Sequence, residues 1–430
     1  GLGDVYKRQV ADMIGKGKKV PESLLEIFAQ NPEYSAKLDS LINAKDKVPF
    51  KIFDKKNAEK LFGKNLNISA SQLEKFNLCR FSYFCNYGLN VRERQRAEIN
   101  SMQYGTIVHY ILERFFGEYT KEEYLSLEED KFQKIVCAYL AEYAVKYFGE
   151  EQLESNSFTY RLKTILDNVM YLMKHIMEEL SQSEFFVADC ELKIGEDIPS
   201  YTIVLPDGHK IAVCGSVDRV DIMQRADITY LRIIDYKTGT KQFKLSDILY
   251  GINLQMLLYL HSIEASGGDK YGEIVPAGIL YMPATVPYIS SDSLKSIDKL
   301  PDELNKKLKM NGLLLKDTEI IHGMDKTDAA TYIPVKIKAG EPVSSTSLAT
   351  LAEFGKIFKK VDMLIAEMGK NIYNGNIEAK PLKGGHDSCE YCPYDSVCAY
   401  RQSNPITCFS VDNKTVIEEI TNEINGKEEE

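Results

Sequence analysis

The sequence predicts an α/β protein with a mixed central sheet, flanking helices and a large helical insertion. Three observations carry this reading. Residues 185–239 turn β-rich, in "FFVADCELKI", "YTIVLPDGHKIAVCGSVDRVDIM" and "TYLRIIDYKTG". Long amphipathic stretches of helical spacing precede them, across residues 119–182. A further helix and then one more strand, "VPAGILYMPA", follow. A chain of 430 residues, 44% hydrophobic and 27% charged, can bury a large core, as two or three domains or one decorated domain.

In order along the chain, residues 1–65 show a weak helical pattern and a lysine-rich linker, "KDKVPFKIFDKKNAEKLFGKN", with no chemistry in them. "SASQLEKFNLC" offers Ser69 as the N-cap of a helix that carries Leu73 and Phe76. "YGTIVHYILERFF" reads as a helix opened near Gly105, with Ile107, Ile111 and Leu112 on its apolar stripe and His109 beside them. Thr120 and Glu123 form a capping box at the start of the 119–182 insertion. Pro206, Asp207 and Gly208 turn a hairpin between strands of the mixed sheet. Ser246 is the expected N-cap of "SDILYGINLQMLLYLHSI". Residues 286–345 are polar and irregular, as in a surface insertion. A long helix, "SLATLAEFGKIFKKVDMLIAEMGKNIYNG", then leads to a cysteine cluster at residues 386–402, and residues 403–430 read as a solvated acidic tail.

No apolar run approaches the roughly eighteen residues of a membrane span. The chain opens on Gly1 with no signal-peptide pattern, so it is expected to be a cytoplasmic protein and a piece of a longer one. A net charge of −10 argues against a non-specific coat on nucleic acid, yet is compatible with a nuclease whose acids gather at a metal. A basic run such as "VRERQR" (residues 91–96) can track phosphates or form a solvated helix face.

The strand "LRIIDYKTGT" raises the chemical question. Asp235 and Lys237 are two apart, hence on one face of the strand. By themselves they fit a surface ion pair as well as a catalytic pair. In "VCGSVDRVDIM", Asp218 and Asp221 are three apart, so only one of them can share the face of Asp235, and Gly215 permits close backbone approach. Two acids on neighbouring strands, a lysine and a histidine from an adjoining helix would suit Mg²⁺ or Mn²⁺ better than zinc. The lysine suits phosphoryl chemistry.

Cys389, Cys392 and Cys398 form a C-x2-C-x5-C run, which leaves a four-ligand metal centre one thiolate short. Cys79 is the best candidate for the fourth, with Cys85 as a rival; Cys137, Cys190 and Cys214 sit in apolar patterns and read as core. A structural zinc and a set of unligated thiols both remain open from spacing alone.

Four motifs follow in one order: G-x3-H at residues 105–109, G-x2-D at 215–218, D-Y-K at 235–237 and Q-x3-Y at 255–259. In this order, inside a bracket of one early cysteine and a late C-x2-C-x5-C, the chain resembles the iron–sulfur members of the RecB-like branch of the PD-(D/E)xK nucleases. With "SASQLEKF" in front and "GINLQMLLYL" behind, it is most similar to the C-terminal nuclease domains of the B subunits of bacterial AddAB-type helicase–nucleases, over residues 66–402. The resemblance implies a restriction-endonuclease-like core. It also implies Mg²⁺ or Mn²⁺ held by Asp218, Asp235, His109 and the Tyr236 carbonyl, and Lys237 positioning or helping to deprotonate the attacking water. Gln255 and Tyr259 would orient the site or touch the DNA backbone. Glu191 stands where the family often has an acid at a strand end. Cys79, Cys389, Cys392 and Cys398 would hold a 4Fe-4S cluster that fastens the two ends of the domain. Residues 1–65 would end a preceding helicase-like region. The implied function is cleavage of DNA ends or single strands in break processing and recombinational repair, beside the A subunit of the complex. The alternative is a metal-stapled DNA-binding or subunit-docking module without catalysis, which would not need the histidine, both aspartates and the lysine together.

Overall fold

The computed structural model describes residues 2–15, 18–30, 32–44, 51–92, 101–149, 155–239, 242–286, 300–327, 329–398, 400 and 405–428. Among them, no helix is long and apolar enough to cross a membrane. Three helices, Leu2–Gly15, Glu22–Ala29 and Pro32–Ala44, share a small apolar cluster of Val10, Ile14, Val20 and Leu38. Helix Lys55–Phe62, capped by Asp54, leads to strand β1 (Asn65–Ile68). Ser69 and Gln72 then form a reciprocal capping box for helix Ala70–Leu78.

The His109 helix runs over Ser101–Glu118, beginning earlier than Gly105. Gly105 lies within it, where a Cβ would meet Thr238 only at an ordinary 3.8 Å. Thr120 and Glu123 cap the next helix as the sequence predicts, and helices Glu129–Phe148 and Asn156–Ser181 complete the helical stretch.

The strands that follow are β2 (Phe186–Ile194), β3 (Thr202–Val204), β4 (Lys210–Val213), β5 (Gly215–Arg225) and β6 (Ile228–Lys237). After helix Gln255–Ser266 come β7 (Glu273–Pro283) and β8 (Asn311–Leu315). Later come β9 (Lys336–Lys338), β10 (Glu341–Val343) and β11 (Leu348–Ala349). The central sheet has six strands in the order β11-β8-β7-β6-β5-β2. β5 is antiparallel to β2 and β6, whereas β6 and β7 are parallel and joined through helix Gln255–Ser266, as a parallel pair requires. β6 is buried on both faces along most of its length, so its apolar residues Leu231, Ile233 and Ile234 do not alternate with exposed ones and its Arg232 and Asp235 are buried too.

The sequence reading is corrected in four places. The hairpin through Pro206–Gly208 is real but joins β1 in a separate sheet, β1-β4-β3, and not the central one. Ser246 does not cap a long helix: a 3-10 turn, Leu245–Tyr250, ends at Gly251 in the left-handed region, and the helix starts at Gln255. A Cβ on Gly251 would lie 2.2 Å from the Asn77 side chain, so glycine is needed for space as well as for conformation. Residues 286–345 are not irregular throughout. Residues 287–299 and 328 lie outside the described residues, but the remainder holds helices Leu300–Leu308 and Thr318–Met324, the hairpin β9–β10 and central strand β8. The acidic C-terminus is a packed helix, Asn413–Glu428, whose Val416 and Ile420 are fully buried in the main core; an i, i+4 apolar stripe hides among the acids. Of "VRERQR", residues 93–96 lie outside the described residues.

Behind the site face of the sheet, Arg219 and Arg232 meet Asp221 and Glu179, all four fully buried. Arg219 donates to Asp221 (2.6 and 2.7 Å) and Glu179 (3.0 Å), and Arg232 to Glu179 (2.6 Å) and Asp221 (3.0 Å). Two charges of each sign leave the cluster neutral, and removal of one member would cost about 3–5 kcal/mol. Asp221 is thereby committed to structure, and Asp218 is left to the opposite face.

Candidate active site

The site forms where β5, β6 and β2 approach the His109 helix. Asp218 accepts a hydrogen bond from the Tyr236 backbone N–H at 2.9 Å, which aligns β5 with the end of β6. His109 Nε2 lies 3.6 Å from Asp218 Oδ2, and its Nδ1 lies 2.8 Å from Glu191 Oε1. Ser216 donates to the other Glu191 oxygen at 2.8 Å. Glu191 sits on β2 between the pairs Cys190–Arg219 and Leu192–Val217, hence opposite Asp218. Its φ of +50° is unusual for a non-glycine residue. Such a conformation costs on the order of 1–3 kcal/mol and is held by the surrounding sheet.

Ligand atoms of His109, Glu191 and Asp218 all lie within 4.8 Å of one another, a spacing that could hold a metal ion. Asp235, 2% exposed, joins them from β6, and Lys237 Nζ is 2.6 Å from Asp235 Oδ2. Burial, reinforced by the Asp235 carboxylate, raises the Asp218 pKa to about 7. Burial alone would lower the His109 pKa, but its hydrogen bond to Glu191 and the carboxylates of Asp218 and Asp235 outweigh that and raise it. Glu191 is held below the usual carboxylate range: burial opposes this, but the hydrogen bonds from His109 and Ser216 prevail. Acids crowded in a dry pocket are costly unless a cation joins them. An oxygen-rich set with one imidazole fits Mg²⁺ or Mn²⁺.

Gln255 and Tyr259 stand one turn apart at the start of their helix. Tyr259 is buried and packs against Gly215, where a Cβ would lie 2.2 Å from the Tyr259 hydroxyl. Burial raises its pKa to about 12, and the hydroxyl meets the Ala70 backbone. Tyr259 thus braces the start of β5, three residues from Asp218.

At the far end of the domain, β12 (Leu382–Gly384) pairs with β13 (Ile406–Cys408), and the cysteine segment follows β12. Ser388 Oγ donates to the Leu78 carbonyl at 3.0 Å and to the Leu382 carbonyl at 2.7 Å, so the residues next to Cys79 and Cys389 are tied together. Tyr394 donates to the Val91 carbonyl at 2.8 Å. The Cys79 thiol is raised by burial and then by Cys392; Cys389 and Cys398, also raised chiefly by burial, feel Cys79 in turn. Cys85, raised by burial, feels Cys392 and Cys79. The thiols from the two ends therefore lie within electrostatic reach of one another, Cys79 with Cys389, Cys392 and Cys398 and also with Cys85.

Residues 67–399 match the family model of the PD-(D/E)XK nuclease superfamily. The chain belongs to this superfamily. It is similar to the B subunit of the ATP-dependent helicase/deoxyribonuclease of Clostridium kluyveri, at 35% identity over 88% of this chain and 34% of that protein. The proteins of the same description from Thermoanaerobacter sp. and Clostridium acetobutylicum are 34% and 31% identical, over 80% and 91% of this chain and 30% and 35% of theirs. The chain thus spans about a third of the length of the curated relatives it matches.

For this PD-(D/E)XK nuclease, sequence reasoning passes over Ser216 and gives Glu191 little weight. Ser216 has no periodic signal; only its place after Gly215, next to an acid-bearing strand, could point to it. Glu191 is hard to place from sequence because its left-handed backbone departs from regular strand geometry.

Proposed function

We infer that the chain is a divalent-cation-dependent deoxyribonuclease that hydrolyses phosphodiester bonds at DNA ends or in single strands. In this reading it acts in the cytoplasm, within a helicase–nuclease complex that processes double-strand breaks for recombinational repair, beside an A subunit. The observation that carries it is the half-buried cluster of His109, Glu191 and Asp218, with the Asp235 carboxylate close enough to act on Asp218 and Lys237 at its edge.

Asp218, Asp235 and His109, with the Tyr236 carbonyl, are the residues that would hold Mg²⁺ or Mn²⁺. When bound, such a cation supplies Lewis-acid polarisation of the phosphate and lowers the pKa of water. Glu191 fixes the His109 ring through Nδ1 and leaves Nε2 toward Asp218, the arrangement in which an outer carboxylate orients a ligand histidine. Lys237 holds its ammonium at the pocket edge, where it donates to a phosphate oxygen or positions the attacking water. The water oxygen bonds to phosphorus, the bond to one ester oxygen breaks, and that oxygen leaves with a proton. Tyr259 braces β5 at Gly215, and Gln255, one turn before it, orients the site or contacts the DNA backbone. Cys79, Cys389, Cys392 and Cys398 would hold a 4Fe-4S cluster clasping the two ends of the domain, a reading supported by the Ser388–Leu78 tie, which spans 310 residues.

The test is cleavage of linear single-stranded DNA by the full chain with Mg²⁺, with EDTA, and by the Asp235→Ala variant. Wild type releases fragments only with the cation, and the variant folds but cuts at least about 100-fold more slowly. Undiminished cleavage by the variant would remove the site from this role.

A further inference from the structure

We propose that a groove beside the candidate active site, walled by Lys306, Lys307 and Lys309, receives the sugar–phosphate backbone of single-stranded DNA and leads it to Lys237. The proposal rests on the deoxyribonuclease reading above and names the path of its substrate.

The groove has a volume of about 760 Å³ and is continuous with the site, because Lys237 lines both. Its floor is the paired ends of β6 and β7, Lys237 and Pro283 being register partners. One wall is the end of helix Leu300–Leu308 and the start of β8. Four lysines and no aspartate or glutamate line it among the described residues, in a chain of net charge −10. A chain with more acids than bases thus has, among its described residues, a groove lined by lysines without acids next to the site that would act on a polyanion.

Lys306 and Lys307 are exposed at the end of their helix. Lys309 is half-buried and fixed by donation to the carbonyls of Ala330 and Val335, at 2.7 and 3.2 Å, so its charge is built into the wall. The Phe243 N–H donates to Asn311 Oδ1 at 2.8 Å, which ties the segment after Lys237 to β8 and makes floor and wall one piece. The half-buried Phe243 ring and the Thr346 and Ser347 hydroxyls complete the lining. Ammonium groups, hydroxyl donors and an aromatic ring are the parts from which single-strand channels are made. A groove of this size has room for a drug-sized group, enough for a nucleotide or two of one strand.

The experiment compares wild type with the Lys306→Glu, Lys307→Glu double variant, both as the full chain with unchanged thermal unfolding. Binding of a fluorescent single-stranded oligonucleotide is followed against salt in EDTA, and cleavage in Mg²⁺. The variant is expected to bind at least tenfold more weakly at low salt. The slope of log K against log [salt] should shrink by about 1.4, roughly 0.7 for each lost phosphate contact. Its loss in kcat/KM should be carried by KM. An unchanged salt slope, or a fall in kcat with affinity retained, would overturn the groove. Wild type that cuts DNA, with a variant that binds and cuts alike, defeats the groove and leaves the nuclease reading standing. Wild type that binds with the lysine-dependent slope and cuts nothing defeats the nuclease reading and leaves the groove.

Discussion

Lys237 places its ammonium 2.6 Å from the buried Asp235 carboxylate while its side chain stays 28% exposed, so it bridges the pocket and the solvent from which a strand arrives. A surface ion pair would not have one member buried beside a second carboxylate. If Lys237 serves the transition state, Lys237→Ala should keep its affinity for Mn²⁺ and for DNA while single-turnover cleavage slows by about 10²–10⁴-fold. A variant that instead loses DNA affinity and keeps its rate at saturating DNA would make Lys237 an anchor only. Strand parity puts Asp235 and Lys237 on one face and admits only one of Asp218 and Asp221 beside them. Parity does not say which; the G-x2-D motif of the resemblance points to Asp218, and the structure places Asp221 with Arg219 and Arg232 instead. Ser216 was illegible because a single hydroxyl carries no pattern.

Helix Gln255–Ser266 links the site to the long helix Leu351–Tyr373. His261 on the first meets Asp362 on the second at 3.0 Å, stacks on Phe358, and lies 3.6 Å from Glu264. Burial would lower its pKa, but the hydrogen bonds to Asp362 and Glu264 raise it from 6.5 to about 9. A folded-state pKa above the unfolded one stabilises the protein fully below pH 6.5, and that stability drains away as pH rises through about 9. Urea unfolding should therefore find wild type losing roughly 2–3 kcal/mol more than His261→Gln between pH 6 and pH 9.5. Parallel losses in the two proteins would show that His261 is not the linked group. Of the three expected caps, Ser69 and Thr120 stand at helix starts and Ser246 does not. The break at Gly251 was missed because apolar spacing runs through it, and the reason for the glycine, Asn77, is far away in sequence. β8 was missed because a five-residue strand between polar flanks gives too short a periodic signal.

Across the whole molecule, the two ends of the domain are joined by hydrogen bonds beside Cys79 and Cys389 as well as by proximity of the thiols. The cysteine spacing was legible, but the choice between Cys79 and Cys85 was not, since it depends on how two distant segments fold together. If a 4Fe-4S cluster closes this clasp, Cys79→Ala should give colourless protein with little iron or acid-labile sulfide, lower stability and weaker DNA binding, and Cys85→Ala should do much less. Stoichiometric zinc without iron in anaerobically purified wild type, or an indispensable Cys85, would reject that account. The clasp, the sheet and the His109 helix together serve one pocket, so the central claim is that this pocket is a cation site. Electron paramagnetic resonance titration of Mn²⁺ into the full chain tests it most directly, with the folded Asp218→Asn, Asp235→Asn double variant as control. Wild type should take up Mn²⁺ in competition with Mg²⁺ while the double variant leaves it free in solution; equal binding by both proteins would contradict the claim.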